Sequence, residues 1–255
     1  METKPVVMKI GGNELDQPGF IEEFTQAAAA IHHQQPGLVV HGGGKAINDL
    51  LDRLQITPVY DQGQRVTDSQ TLDVVEMVLS GKINKALTYA FLQAGVDAVG
   101  LSGVDLGLLQ VEPWNAVMGR VGRVVGVRSD LLAAWMEQGL LPVISPISVG
   151  PDGRYNVNAD HAAGAIAGAL QAAEIIFVTN VPGVIIDAAV VPELDAQQVQ
   201  AFTASGAISG GMLPKVQAAL AALDQGVPRA RITSLTGLRQ GLGTTLMAAH
   251  NQEVL

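Results

Sequence analysis

Short, unbroken apolar runs recur along this chain, and a helix-forming stretch follows nearly every one of them. Runs without polar alternation suit strands buried on both faces, as in a parallel sheet covered by helices on either side. Strands are expected at Val6–Ile10, Leu38–His41, Ala98–Leu101, Leu141–Ser145, Ile175–Thr179, Arg231–Ser234 and Thr245–Ala248. Helices are expected at Phe20–His33, Lys45–Leu54, Thr71–Ala94, Asp130–Gln138, Asp160–Ala172, Asp195–Ala204 and Leu213–Gln225. In the first of these, Ile21, Phe24, Ala28 and Ile31 keep one apolar stripe. Val117–Val127 alternates valine with glycine or arginine and reads as a hairpin outside the main sheet. Pro146–Tyr155, which contains Pro151-Asp152-Gly153, reads as a turn between strand and helix. No Pro/Ser linker interrupts the pattern, so any two lobes share one sheet, with a seam near Ala172–Glu174 dividing 1–173 from 174–255.

The composition of the 255 residues narrows the chemistry. Apolar residues make up 48% and charged residues 15%, which allows a large core and opposes disorder. The net charge of −9 comes without a Lys/Arg cluster, so neither nucleic acid nor an anionic membrane is expected as a partner. An anionic ligand must then be drawn by a few local cations. With no cysteine, disulfides and thiolate catalysis are excluded. Lys9 interrupts the N-terminal apolar run before it resembles a signal sequence, and Ala162–Leu170 is too short to span a bilayer. A soluble cytoplasmic protein is expected.

Two of the strands run straight into glycine turns: Lys9-Ile10-Gly11-Gly12 and His41-Gly42-Gly43-Gly44. Glycine there permits φ > 0 and lets a ligand approach backbone N–H groups, which with a following helix N-terminus form an anion site. Neither turn has the spacing of a P-loop or of a dinucleotide fingerprint. On neighbouring strands they would share one site at the carboxyl edge of the sheet. Lys9 lies within an apolar strand, so its ammonium should meet a carboxylate or a phosphate.

Three further segments carry polar groups next to a turn or helix start. Asn156, Asn158 and Asp160 stand at i, i+2 and i+4 before an alanine-rich helix. Extended, they would face one way and orient a polar substrate; alternatively they form a turn that caps the helix. Ser209-Gly210-Gly211 leads into a helix whose first turn holds Pro214 and Lys215, a cation opposed to the macrodipole unless it serves an anion. Arg65 could clamp a carboxylate or simply lie on the surface. Lys45 is expected to point to solvent. His32, His33, His41, His161 and His250 show no metal-ligand spacing with carboxylates, so no protein-bound metal cage is expected.

Taken together, VVMKIGGNEL, VVHGGGKAIN, GQRVTDSQTLDVVEMVLSGKINKAL, VGLSG, LPVISP, YNVNADHAAGAIAGAL, VTNVPGV and ISGGMLPKV resemble the amino acid kinase family. The match runs in order over roughly residues 6–220 and is closest to members that phosphorylate N-acetyl-L-glutamate. It implies a three-layer αβα sandwich around a mainly parallel eight-stranded sheet, and a homodimer. It implies transfer of the γ-phosphoryl group of ATP, with Mg²⁺ arriving on the nucleotide, to the side-chain carboxylate of N-acetyl-L-glutamate in arginine biosynthesis. By resemblance, Lys9 and Lys215 stabilise the phosphoryl group in transfer and Asp160 organises them. Gly11, Gly12 and Gly43 match phosphate-binding backbone donors, while Gly43, Gly44, Arg65, Asn156 and Asn158 match the acceptor site. Thr179, Asn180, Val181, Pro182, Gly183 and Val184, with Gly210, Gly211 and Met212, match the nucleotide segments. The resemblance thus gives 1–173 to acceptor binding and dimerisation and 174–255 to ATP.

The chain departs from the family at three places. Asn180 stands where these kinases usually carry aspartate, which keeps aminoadipate or glutamate in view as acceptors. Val104-Asp105-Leu106 replaces the usual Lys-Asp-Gly, and Arg231–Thr245 matches only loosely. The N-terminal helix of arginine-inhibited hexamers is not seen ahead of Val6, so a dimer without arginine feedback is expected. A non-catalytic sensor is the reading from another class; intact Lys9, Asp160 and Lys215 oppose it.

Overall fold

The computed structural model describes residues 3–12 and 14–247; Ala248, the expected end of the last strand, and His250 lie outside the described residues. The first half alternates β1 (Val6–Ile10), α1 (Phe20–His32), β2 (Gly37–His41) and α2 (Gly44–Arg53), then a small ribbon of β3 (Val59–Asp61) and β4 (Gln64–Val66). A long helical run follows as α3 (Ser69–Glu76), a π-helical stretch (Met77–Ile83) and α4 (Asn84–Gln93). Next come β5 (Ala98–Gly103), β6 (Leu109–Pro113), β7 (Gly122–Val127), α5 (Ser129–Glu137), β8 (Leu141–Gly150), β9 (Gly153–Asn156) and α6 (Ala159–Ala169). The remainder comprises β10 (Glu174–Thr179), β11 (Ile185–Ile186), β12 (Ala189–Val190), β13 (Glu193–Leu194), α7 (Ala196–Ala204), α8 (Met212–Asp224), β14 (Arg229–Ser234), α9 (Leu235–Gln240) and β15 (Thr244–Met247).

The central sheet has the order β13-β15-β14-β10-β1-β2-β8-β6-β7, with β5 and β9 also paired to β8. Its middle ladders are parallel, with Lys9 opposite Phe177 on one side and Val40 on the other. Eleven strands enter the sheet where eight were expected, since two-residue β13 and the hairpin partners extend its edges and centre. Two cores lie on its two faces. Val7, Val40 and Phe177 pack toward α6 and α8, while Met8, Val39, Ile176 and Val178 pack toward α1, α4 and α9. This two-residue alternation decides which helical layer each strand side chain meets. No helix among the described residues is long and apolar enough to cross a membrane.

Four expectations are corrected. The valine-rich hairpin is not outside the main sheet: β7 pairs with β6, Leu-Gln-Val-Glu-Pro, and β6 bridges to β8 through Gln110 and Val149. Strand β8 does not stop at Ser145. It passes Pro146 because the β5 ladder shifts register there and the β9 hairpin takes over as partner. Pro151-Asp152-Gly153 is therefore a hairpin turn, and β9 delivers Asn156 to the start of α6. The expected helix over Thr71–Ala94 is interrupted by the π-helical stretch, whose hydrogen bonds span five residues instead of four.

Local signals explain several helix ends. Asp68 caps α3 by accepting the Thr71 N–H at 2.7 Å, which holds its carboxyl below the usual carboxylate range. A capping box of Asp195 and Gln198 opens α7. No side chain caps α5, whose N-cap is Arg128, and Gly139, at φ +80°, follows its end.

Candidate active site

Three parallel neighbours, β2, β1 and β10, end at the same edge, where Ile10 is level with His41 and Val178. The turns Gly11–Gly12 and Gly42–Gly44 and the segment from Thr179 therefore emerge side by side. Between Gly12, the Gly42–Gly44 turn, the start of α6 and the β3–β4 ribbon lies a cleft of about 450 Å³, which the segment from Thr179 does not line. Lys9, Gly12, Gly43, Gly44, Arg65, Asn156, Asn158 and Asp160 all line it, which joins residues 151 positions apart in sequence. The volume falls within the ~300–1,000 Å³ of small-molecule sites.

Lys9 owes its partner to strand alternation. It shares the face of Val7, the face covered by α6, and its Nζ lies 2.8 Å from Asp160 Oδ1 with the lysine side chain 13% exposed. The mostly buried ammonium is thus neutralised by a carboxylate in the first turn of a helix, where negative charge is also favoured. Asn158 is the cap of that helix, accepting the Asp160 N–H at 2.8 Å. Asn156, Asn158 and Asp160 do not form one extended face, because the helix begins between them, yet all three reach the cleft. Asn156 Nδ2 donates to buried Thr67 Oγ1 at 3.2 Å.

The two glycine turns touch through their backbones. A Cβ on Gly12 would lie 2.7 Å from the Gly43 carbonyl carbon and Cα, and closer still to Gly44 N. None of Gly11, Gly12, Gly42, Gly43 and Gly44 has a positive φ; Gly43 at φ −179° is extended. Glycine is therefore needed here for close approach rather than for a left-handed conformation. Among the described residues, no backbone acceptor is bonded to the N–H groups of Gly43 and Gly44, as expected at a helix start.

Arg65 sits above this floor. Its Nη2 donates to Asn48 Oδ1 at 2.6 Å, its guanidinium lies over the Tyr60 ring at 5.0 Å, and burial lowers its pKa below the ordinary value. Its buried Nη1 has no hydrogen-bond partner. The guanidinium as a whole lines the cleft, and its planar fork of donors suits a carboxylate. Asn48 and Tyr60 were missed in the sequence, although Asn48, four residues after Gly44, shares its helical face. Lys45 is exposed as expected, at the rim of the cleft and bonded to Asp49 at 3.0 Å.

Other expected residues lie elsewhere. Gly11 does not line the cleft; the space beside its Cα is filled by the Glu14 carboxylate. Lys215 is also outside it, donating to Gly211 O at 3.0 Å across the first turn of α8. Thr179 Oγ1 accepts the Val181 N–H, Asn180 and Pro182 are exposed, and Gly183 and Val184 are buried against Thr244. Gly210, at φ +55°, and Gly211 lead into Met212 at the start of α8.

The sequence profile described as the amino acid kinase family matches residues 4–234. An acetylglutamate kinase from Roseiflexus sp. (strain RS-1) is 48% identical over 245 residues, covering 95% of this chain and 93% of the relative. Another from Geobacillus stearothermophilus is 46% identical over 235 residues, covering 91% and 90%. Among solved structures, smu.665 from Streptococcus mutans UA159 superposes with a TM-score of 0.84 at 28% identity, covering 96% of this chain and 99% of that one.

Proposed function

The chain belongs to the amino acid kinase family, and from that membership we propose that it transfers the γ-phosphoryl group of ATP to the side-chain carboxylate of N-acetyl-L-glutamate, forming an acyl phosphate in arginine biosynthesis. The observation that carries this reading is the single cleft lined both by Arg65 and by the Lys9–Asp160 pair. One group suits a fixed carboxylate of the acceptor, and the other a transferring anion.

The acceptor carboxylate is ionised at neutral pH, so the reaction needs no general base. What remains is alignment and charge neutralisation of a loose, in-line transition state. Asp160 holds one side of the Lys9 ammonium, leaving its other hydrogens for phosphoryl oxygens. The N–H groups of Gly12 and Gly43 are assigned to phosphate, and those of Gly43 and Gly44, with Asn156 and Asn158, to the acceptor. Arg65 binds the α-carboxylate. Lys215 is assigned the opposite side of the phosphoryl group, approaching from the nucleotide lobe.

The nucleotide is assigned to Thr179–Val184 and Gly210–Met212 and carries Mg²⁺ as part of the substrate. In this division 1–173 binds the acceptor and 174–255 binds ATP. A homodimer belongs to the same proposal, supported by exposed Met77, Tyr89 and Leu92 along the long helical run. So does residence in the cytoplasm, where ATP is made available.

Hydroxylamine trapping tests the reading. With ATP, acetylglutamate should yield hydroxamate and aminoadipate or free glutamate should not. Hydroxamate from those acids alone, or from none, refutes it.

A further inference from the structure

Among the buried titratable groups that the phosphoryl chemistry leaves unused is His41. His41 ends β2 immediately before the acceptor turn and is fully buried on the face of Val39, toward α4. Its Nδ1 lies 3.1 Å from Gly42 O and its Nε2 lies 3.2 Å from Asn84 Nδ2. The direction of both bonds follows from the surroundings. Lys85 Nζ, a donor only, is 3.1 Å from Asn84 Oδ1, so that oxygen accepts. Asn84 Nδ2 then donates, and it also reaches Val143 O at 2.9 Å and Leu101 O at 3.1 Å. Its two hydrogens are shared among three acceptors, of which His41 Nε2 at 3.2 Å is the farthest; the ring hydrogen is on Nδ1 because Gly42 O, 3.1 Å away, can only accept.

In a trans peptide the C=O and the following N–H point in opposite directions. A Gly42 carbonyl pulled toward the core therefore turns the Gly43 N–H the other way, toward the cleft that Gly43 lines. Resting on the reading of Gly42–Gly44 as the acceptor turn, we propose that His41 is a positioning residue whose Nδ1–H holds the Gly42 carbonyl and so aims the Gly43 N–H at the acceptor.

Two features were built around this contact. Asn84 follows directly on the π-helical stretch, and each residue of helix is ~100° of rotation, so the widened turn sets the direction of the Asn84 amide. Gly100 on β5 makes room for the amide and its lysine, since a Cβ there would collide with Asn84 Oδ1 and lie 3.0 Å from Lys85 Nζ. Burial also pushes the His41 pKa down to about 4, so Nε2 keeps its lone pair at neutral pH.

The two ring nitrogens can be separated. In His41→Asn the side-chain amide reaches the position of Nδ1 and keeps the donor; in His41→Gln it reaches the position of Nε2 and does not. The acetylglutamate KM should stay within about threefold for His41→Asn and rise about tenfold or more for His41→Gln. The KM for ATP should hold in both. Equal effects of the two variants, or a parallel rise for ATP, overturn the proposal. Should either variant not fold, Asn84→Ala leaves His41 in place but frees its Nε2; an unchanged acetylglutamate KM there also overturns it. A wild-type chain inactive on acetylglutamate refutes the proposed function. An active wild type whose variants fail to separate refutes only the role of His41.

Discussion

Replacing Gly12 with alanine tests the closest contact in the site. The new Cβ would stand 2.7 Å from the Gly43 Cα and carbonyl carbon, whereas ordinary contact begins at 3.4 Å. The obstructing atoms are all backbone, so no rotamer change relieves the clash. The turns must separate by at least ~0.7 Å, and further at Gly44 N. A shift approaching 1 Å at reacting groups costs about 10²-fold in rate. The overpacking should also cost about 1–3 kcal/mol of stability, a fall in Tm of roughly 2–10 °C for a chain of this size. Hydroxamate formation and thermal unfolding measure the two effects. Gly44→Ala supplies the control for stability, because nothing lies within 4 Å of its added Cβ and alanine suits the start of a helix. Its Tm should hold or rise. Wild-type rates in Gly12→Ala, or a larger loss of Tm in Gly44→Ala, would refute the reasoning.

Lys9→Ala should lower kcat by about 10²–10³ while moving either KM far less, since its ammonium is assigned to charge that develops only in transfer; steady-state kinetics checks this, and unchanged turnover contradicts it. His41 gives a pH dependence. Its folded pKa is about 4 against an ordinary 6.5, so below 6.5 the unfolded chain gains a proton that the folded chain refuses. Stability should therefore fall as pH drops from about 6.5 to 4, by about 3 kcal/mol from this residue, and denaturant unfolding of His41→Asn should lack that part of the slope. Leu106 is left-handed at φ 53° and 68% exposed, so its side chain contributes little and its backbone is strained. Leu106→Gly should raise Tm by about 1–4 °C in calorimetry, relief of strain outweighing added chain entropy.

What the sequence revealed depended on how local each cause was. β1, β2 and β10 were legible because both of their faces are covered, so their runs are continuously apolar. β6 was not, since one edge of its pattern, Gln110 and Glu112, is polar and its link to the sheet rests on Val149, thirty-nine residues away in sequence. The π-helical stretch Met77–Ile83 carries the weak helix-forming pair Ser80-Gly81, but propensity alone does not tell a π-turn from an α-turn. In the site, Lys9 announced its need for a partner, and Asp160 met it. Asn48 and Tyr60 carried no such announcement; they matter through Arg65, and only the folded ribbon brings that side chain over α2. Lys215 illustrates the reverse case, a residue prominent in sequence that bonds its own helix and stands away from the cleft.

The order β10-β1-β2 has one more implication. Neighbouring strands lie ~4.8 Å apart, so the segments assigned to phosphoryl donor and acceptor start about 10 Å apart, with the lysine strand midway. Hydrogen-bonded ladders hold that interval, and the length of the loops above has no bearing on it. The sheet thus serves as a fixed gauge for the transfer, and the loops become interchangeable fittings. Rebuilding the β3–β4 ribbon to admit a different acid would change what is phosphorylated without changing how far the phosphoryl group travels.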